Sequence, residues 1–389
     1  MFALKSSQCQ RVQDIPPSGI QKFLDIINSM PDVLSLGVGE PDFVTPEHIW
    51  RAAFDACAAG QTKYSPNAGL QELRELLSQH LERLYGVHYD PDSELLIAVG
   101  VSEGLQDALI ATLDPGDEVI VPEPCFMAYP PNVVLAGGVP VPVPTYYEHD
   151  FAVTAQDIAA RLTRRTRGIL LGYPSNPTGA VMPLDELERV ARLAQERDLL
   201  VYSDEIYDRL VYGVKHTCMA SLPGMRERTI LLGGFSKAYA MTGWRVGYVA
   251  APAGLLHGIF KVHQYVTMCA PTPGQYAAIE ALRNGEVDVK DMVAEYDRRR
   301  RVIVDGLNRL GLATFEPHGA FYCFPRVKET GMTSEEFAER LLLEEKVAVV
   351  PGEAFGACGA GHVRVCYTAS VDRLEEALVR MERFLKRHA

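Results

Sequence analysis

A chain of 389 residues is longer than one hydrophobic core usually serves, so two domains are expected. Its 47% apolar and 23% charged residues are the levels of an ordinary globular enzyme, and its net charge of −12 is spread along the chain. With no basic stripe this argues against nucleic acid or an anionic membrane surface as partner, and the four arginines at 298–301 would fan around more than one face of a helix.

In chain order, the N-terminus shows no apolar run long enough for a signal peptide. The stretch 34–46, "LSLGVGEPDFVTP", reads as irregular chain near a site. From about residue 95 to 250, short apolar runs alternate with helical patterns. Strands are expected at 95–99, 118–122, 139–143, 168–173, 199–204, 229–234 and 247–252, and helices at 101–113, 126–136 and 184–197. In the last of these Leu184, Leu187, Val190, Ala191 and Ala194 form one stripe. This alternation predicts an α/β fold with a mostly parallel, seven-stranded sheet covered by helices on both faces. The uncharged run 124–147 contains six prolines and cannot be a membrane helix. After Gly285 a long helix is expected over 287–310. Strands follow at 313–316, 320–325, 347–350 and 362–367, then an amphipathic helix with Leu374, Leu378, Met381 and Leu385 on one face. The expected division is a large domain over 46–285 and a smaller α+β domain from residues 1–45 and 286–389.

Eight cysteines without C-x-x-C spacing, several in apolar runs, read as reduced thiols and point to a cytoplasmic address. Ten histidines show no paired-ligand pattern, so no metal site is expected.

In open parallel sheets, ligands sit beyond the carboxyl ends of the strands. Past the predicted strands stand Gly100-Val101-Ser102, Pro124-Cys125-Phe126, Pro174-Ser175-Asn176-Pro177, Asp204-Glu205-Ile206-Tyr207 and Phe235-Ser236-Lys237. Gly100 to Gly104 also fit the G-x-S-x-G pattern of a hydrolase nucleophile elbow. Lys237 follows a buried strand with small, apolar flanks, which would desolvate an amine and favour its neutral, nucleophilic form. Such a lysine forms a Schiff base with an aldehyde, and pyridoxal phosphate is the commonest aldehyde cofactor.

The segments "LGVGEPDF", "YPSNPTG", "SDEIYDRLVY", "GFSKAYAMTGWRVGY" and "HVRVCYT", in this order over nearly the whole chain, resemble the class I, fold-type-I pyridoxal-phosphate aminotransferases. The resemblance implies that Lys237 is the Schiff-base lysine and moves the proton at Cα. Asp204 would pair with the pyridinium nitrogen, and Tyr207 and Asn176 would hydrogen-bond the ring's 3′-oxygen. Arg245 and Ser236 would hold the phosphate together with the helix N-terminal amides of Val101 and Ser102, and Phe126 would stack on the ring. Arg364, with Asn176 and the backbone of Gly39, would grip the substrate carboxylate. Tyr64 would reach the neighbouring subunit's phosphate, which implies a homodimer with shared sites. Ile20 and Tyr322 are candidates for the side-chain pocket.

On this reading Ser102 is an anion ligand. The hydrolase alternative also lacks an upstream His-Gly oxyanion loop. The chain departs from many relatives at Gly234, where a hydroxyl residue is usual, and at Ser102, where some aspartate-using relatives carry a lysine. The expected reaction moves the amino group of an L-amino acid with an aromatic, alanine-like or N-acyl-diaminopimelate side chain to a 2-oxo acid, with 2-oxoglutarate suggested by the family. The alternatives are a carbon–sulfur β-lyase on the same site and a pyridoxal-phosphate-sensing regulator. The regulator would need a DNA-binding domain for which some 30 residues before "VLSLG" leave little room.

Overall fold

The computed structural model describes residues 8–16, 30 and 32–388. A short first strand, β1 (Leu34–Ser35), stands apart from the main sheet. Then β2 (Leu95–Ala98), β3 (Glu118–Glu123), β4 (Val139–Pro144), β5 (Thr166–Gly172), β6 (Leu200–Asp204), β7 (Thr229–Gly234) and β8 (Gly247–Ala250) form one sheet in the order β2-β8-β7-β6-β5-β3-β4. Neighbours are parallel except that β8 runs antiparallel to both β2 and β7. The seven expected strands are thus present, with ends shifted by a residue or two. β2 and β8 are buried along their whole length, as helices cover both faces. β4, "VPVPVP", is an edge strand, where Pro140, Pro142 and Pro144 forfeit no ladder bond that a second neighbour would need.

The helix Leu184–Glu196 buries Leu187, Val190, Ala191 and Ala194, while Leu184 at its start is 52% exposed. The expected helix over 126–136 is shorter, Tyr129–Leu135. Besides the short helices Gln10–Gln13 and Ala155–Ala159, five longer helices carry no expectation from the sequence: Glu47–Ala58, Gln71–Tyr85, Ala253–Val266, Thr272–Asn284 and Ser334–Glu345. The first four start at Pro46, Leu70, Pro252 and Pro271, none of which offers a side-chain cap. Only the fifth has a legible start signal, the capping box of Thr333 and Glu336.

After the long helix Glu286–Arg309, the chain forms β9 (Tyr322–Cys323), β10 (Val347–Ala348), β11 (Val350–Pro351) and β12 (Val363–Cys366). β12 lies between β11 and β9, antiparallel to both, and β10 pairs in parallel with β1. The strand expected over 313–316 does not form. Asn308 occupies both backbone groups of Thr314, accepting from its N–H at 2.9 Å and donating to its carbonyl at 3.0 Å, so no ladder can use them. The run 320–325 contracts to two paired residues, and 347–350 splits because its two halves pair with different strands. One apolar cluster joins Leu34, Leu73, Tyr296 and Phe384, so the two ends of the chain share a core with the helices on the sheet.

Candidate active site

At the carboxyl ends of the central strands lies a cavity of about 380 Å³. Three strand ends build its floor. Asp204 closes β6, Ser236 and Lys237 follow β7, and Val101 and Ser102 open the helix Gly100–Thr112 directly after β2. Phe126 and Asn176 enter from the loops after β3 and β5. Gly39 and Arg364 close the mouth from the β1 and β12 side. Tyr207 and Arg245 complete the wall. Of the expected site residues that the structure describes, Tyr64 alone is absent from this wall; it is 81% exposed. Ile20 lies outside the described residues.

The carboxylate of Asp204 is buried and accepts from the Tyr129 hydroxyl at 2.8 Å and the Ile206 amide at 3.2 Å. Burial pushes its pKa up to about 6, against the pull of those two donors. The Tyr129 ring reaches it because Gly172, opposite Asp204 in the β5–β6 ladder, has no side chain; a Cβ there would collide with the Tyr129 hydroxyl. Tyr129 was not among the candidates read from the sequence. Its one signal is an aromatic three residues after Phe126, whose ring it meets edge-on at 5.6 Å.

Lys237 Nζ donates to the Gly39 carbonyl at 2.8 Å and sits 5.7 Å from the Tyr207 ring centroid. Burial lowers the amine's pKa to about 8, and the charges of Arg364 and Arg245 act in the same sense. The Lys237–Arg245 loop is pinned by Thr45, which donates to the Ala240 carbonyl at 2.6 Å and accepts from Trp244 Nε1 at 3.0 Å. Arg245 itself adopts φ +54°, which turns its guanidinium back toward the start of the Gly100–Thr112 helix, 3.5 Å from the Val99 carbonyl. Gly100, at φ +75°, leaves room for that approach; a Cβ would lie 2.7 Å from Arg245 Nη2.

Arg364 is buried on β12, donating to Asn176 Oδ1 at 2.8 Å and the Gly37 carbonyl at 2.6 Å, with its guanidinium 4.6 Å from the Tyr322 ring centroid. Its Nε has no partner, and both oxygens it meets are neutral. Tyr322 lines the cavity, its hydroxyl 2.8 Å from that of Tyr207. Burial, then Tyr322, holds the Tyr207 phenol well above its usual pKa, so it stays a proton donor.

The class I and II aminotransferase family matches residues 31–381. A putative aminotransferase of Bacillus subtilis is 51% identical, covering 96% of this chain and 97% of its own. An aspartate aminotransferase of Pyrococcus abyssi is 47% identical, covering 97% of each chain. The solved aromatic aminotransferase of Pyrococcus horikoshii superposes with TM-score 0.90 at 46% identity, over 95% of this chain and 99% of that one. The chain belongs to the class I and II aminotransferases. It is an aminotransferase acting between an amino acid and a 2-oxo acid, in a family that uses pyridoxal phosphate.

For this aminotransferase the Tyr129–Asp204 contact gives a direct prediction. Tyr129→Phe removes a hydrogen bond to a buried carboxylate, and kcat/KM is expected to fall about tenfold. That bond holds the Asp204 pKa down, so its loss raises the pKa and moves the acid limb of the pH–rate profile upward. A profile and rate matching the parent enzyme would show that Tyr129 only fills space.

Proposed function

We propose that this cavity holds pyridoxal phosphate and transfers amino groups from neutral, aromatic-type L-amino acids to a 2-oxo acid. The observation that carries this is a single cavity holding a neutralisable lysine, a buried carboxylate with no ion pair among the described residues, and a buried arginine with a free Nε. These residues fit the cofactor. Asp204 is an anion awaiting a cationic ring nitrogen. The start of the Gly100–Thr112 helix offers the amides of Val101 and Ser102, and with Ser236 and Arg245 it suits a phosphate. Phe126 offers an aromatic face. When bound, the cofactor supplies an electrophilic aldehyde and an electron-accepting ring.

The placement of these residues supports the following roles. Lys237 Nζ, neutral above about pH 8, would be the base that moves the proton from the substrate Cα to the carbon that was the cofactor's aldehyde. Asp204 would hold a proton on the ring nitrogen. Tyr207 and Asn176 would donate to the ring's 3′-oxygen. Arg364 orients the substrate by its carboxylate, with Asn176 and the Gly39 backbone beside it, and so selects the Cα bond that breaks. On the expected division, unit 46–285 carries the cofactor contacts, and residues 1–45 with 286–389 bring Gly39 and Arg364 to the substrate.

Among the described residues the cations in the cavity wall are Lys237, Arg245 and Arg364, each with a role already assigned. A second substrate carboxylate would therefore be buried without a partner among the described residues of this chain, which disfavours aspartate as donor unless the neighbouring subunit supplies an arginine. Absorbance changes of the cofactor-loaded protein, followed with one amino acid at a time, test this. Phenylalanine or tyrosine is expected to react about tenfold or more faster than aspartate; the reverse order would overturn the donor reading. The second half-reaction is then tested with 2-oxoglutarate, the acceptor that the family resemblance suggests.

A homodimer is part of the same reading. Tyr265 is 93% exposed and Val266 67%, and the Thr272 hydroxyl donates to the Lys63 carbonyl at 2.8 Å, which ties their segment to the one bearing exposed Tyr64. Apolar surface of this kind marks an interface, and Tyr64 would then serve the neighbouring site. A cytoplasmic location fits the eight free cysteines. No helix among the described residues is long and apolar enough to cross a membrane.

A further inference from the structure

Behind the helix that opens the cavity floor lies a buried polar cluster that none of these roles uses. His263, in the last turn of the helix Ala253–Val266, is fully buried. Its Nε2 faces the Asn67 carbonyl at 2.9 Å, and its Nδ1 faces Glu103 Oε1 at 2.8 Å. A carbonyl oxygen can only accept, so Nε2 carries a proton. Nδ1 then faces a carboxylate, with a second, Asp107 Oδ2, 3.8 Å away and lacking any hydrogen-bond partner. Three acceptor atoms converging in a buried space need protons to share among them, and a His263 ring protonated at both nitrogens supplies the two that point at the Asn67 carbonyl and Glu103. Burial works against the imidazolium, but the hydrogen bond and charge of Glu103, then Asp107 and the Asn67 carbonyl, outweigh it and raise the His263 pKa. Burial and the Glu103 charge push the Asp107 carboxyl up to about 7.

The position of Glu103 gives the cluster its consequence. It sits in the first turn of the Gly100–Thr112 helix, and its other oxygen accepts from the amide of Val99, the residue that caps that helix. The Val99 amide is thereby satisfied from within the chain, and the amides of Val101 and Ser102 remain for an anion. An uncompensated carboxylate in that turn would repel the same anion through the helix terminus it shares.

We infer that His263, held as an imidazolium between Glu103 and the Asn67 carbonyl, is a positioning residue for the cofactor phosphate: it cancels the Glu103 charge so that the helix terminus keeps its affinity for an anion. Glu103 thus organises the loop at no electrostatic expense to the cradle, and the Asn67 bond ties the Ala253–Val266 helix to the segment bearing Tyr64. The inference rests on the reading that the cradle takes the phosphate of pyridoxal phosphate.

Equilibrium dialysis of pyridoxal phosphate against four forms of the full chain tests it. For His263→Gln, the dissociation constant is expected to rise about tenfold or more relative to the parent. Glu103→Gln keeps the acceptor for Val99 and can donate to a neutral His263 Nδ1, so its affinity is expected to stay within about threefold of the parent. The double variant His263→Gln/Glu103→Gln has lost the first-turn carboxylate that the imidazolium faces, keeps only Asp107 one turn further along the helix, and is expected to regain the affinity of Glu103→Gln. A merely structural role predicts no such rescue, so a double variant as weak as His263→Gln overturns the inference. So does a His263→Gln variant that binds like the parent. Should a variant fail to fold, histidine-selective ¹⁵N NMR of the parent protein decides: both His263 nitrogens protonated at neutral pH supports the inference, and a neutral ring overturns it. One equivalent of divalent metal in the purified protein would also overturn it, because the metal would then carry the charge. Failure of the parent to bind pyridoxal phosphate would instead remove the cofactor reading, and this inference with it.

Discussion

Lys237→Ala is expected to lower transamination by about 10⁴-fold or more, because it removes both the nucleophile and the base from one atom. The structural consequence is small by comparison. The lost bond from Nζ to the Gly39 carbonyl contributes about 1 kcal/mol, so the variant is expected to fold. Turnover at saturating pyridoxal phosphate, paired with mass analysis after borohydride reduction, separates lost chemistry from lost binding. In the parent, reduction should fix the cofactor to the peptide containing Lys237; in the variant it should fix none. The same amine sets a pH dependence. It is protonated below about pH 8 and neutral above, so capture of the cofactor by the unloaded protein should rise roughly tenfold per pH unit up to about 8 and then level off. An inflection near the ordinary lysine value of 10.5 would show that burial does not tune this residue. Parent-like turnover in Lys237→Ala would refute the assignment outright.

Asp204→Asn is expected to lose about 10²-fold or more in rate while gaining stability without cofactor. The amide keeps the shape of the side chain and an acceptor for the Tyr129 hydroxyl, but not the charge that holds a proton on the ring nitrogen. The stability gain follows from the sign of the pKa shift. The folded value, about 6, lies above the ordinary value of 3.8, so the native state binds its proton more tightly than the unfolded chain does. Below about pH 4 both states are protonated and Asp204 carries no penalty. The penalty grows as pH rises towards 6 and is constant above it, at about 2 to 3 kcal/mol. Thermal melts of the cofactor-free proteins at pH 7 and pH 4 measure it. The advantage of Asp204→Asn should be present at pH 7 and mostly lost at pH 4. A rate change under threefold would remove the electronic role, whatever the melts show.

The two variants depend on features of unequal visibility in the sequence. Lys237, Asp204, Asn176, Arg245 and Arg364 stood out because each follows a strand or falls in a segment that resembles the family, and the cavity does bring them together. The parallel sheet was legible for a simple reason. Strands buried on both faces are continuous apolar runs, and crossover helices repeat between them. Four helices were not legible, because they begin at proline or leucine without a capping side chain. In the C-terminal part, sequence periodicity said nothing about which neighbour a two-residue strand would pair with, or that Asn308 would take the backbone groups of Thr314.

By itself, then, the sequence determined the alternating architecture, the family and the identities of the charged groups at the strand ends, since all three are written in local patterns or short motifs. Tertiary structure alone decided how those groups are tuned. Tyr129 reaches Asp204 through the space left by Gly172, Lys237 loses its proton readily because the fold buries it, and His263 meets Glu103 across 160 residues of chain. Burial and the approach of distant side chains depend on packing between elements, and no local pattern encodes them.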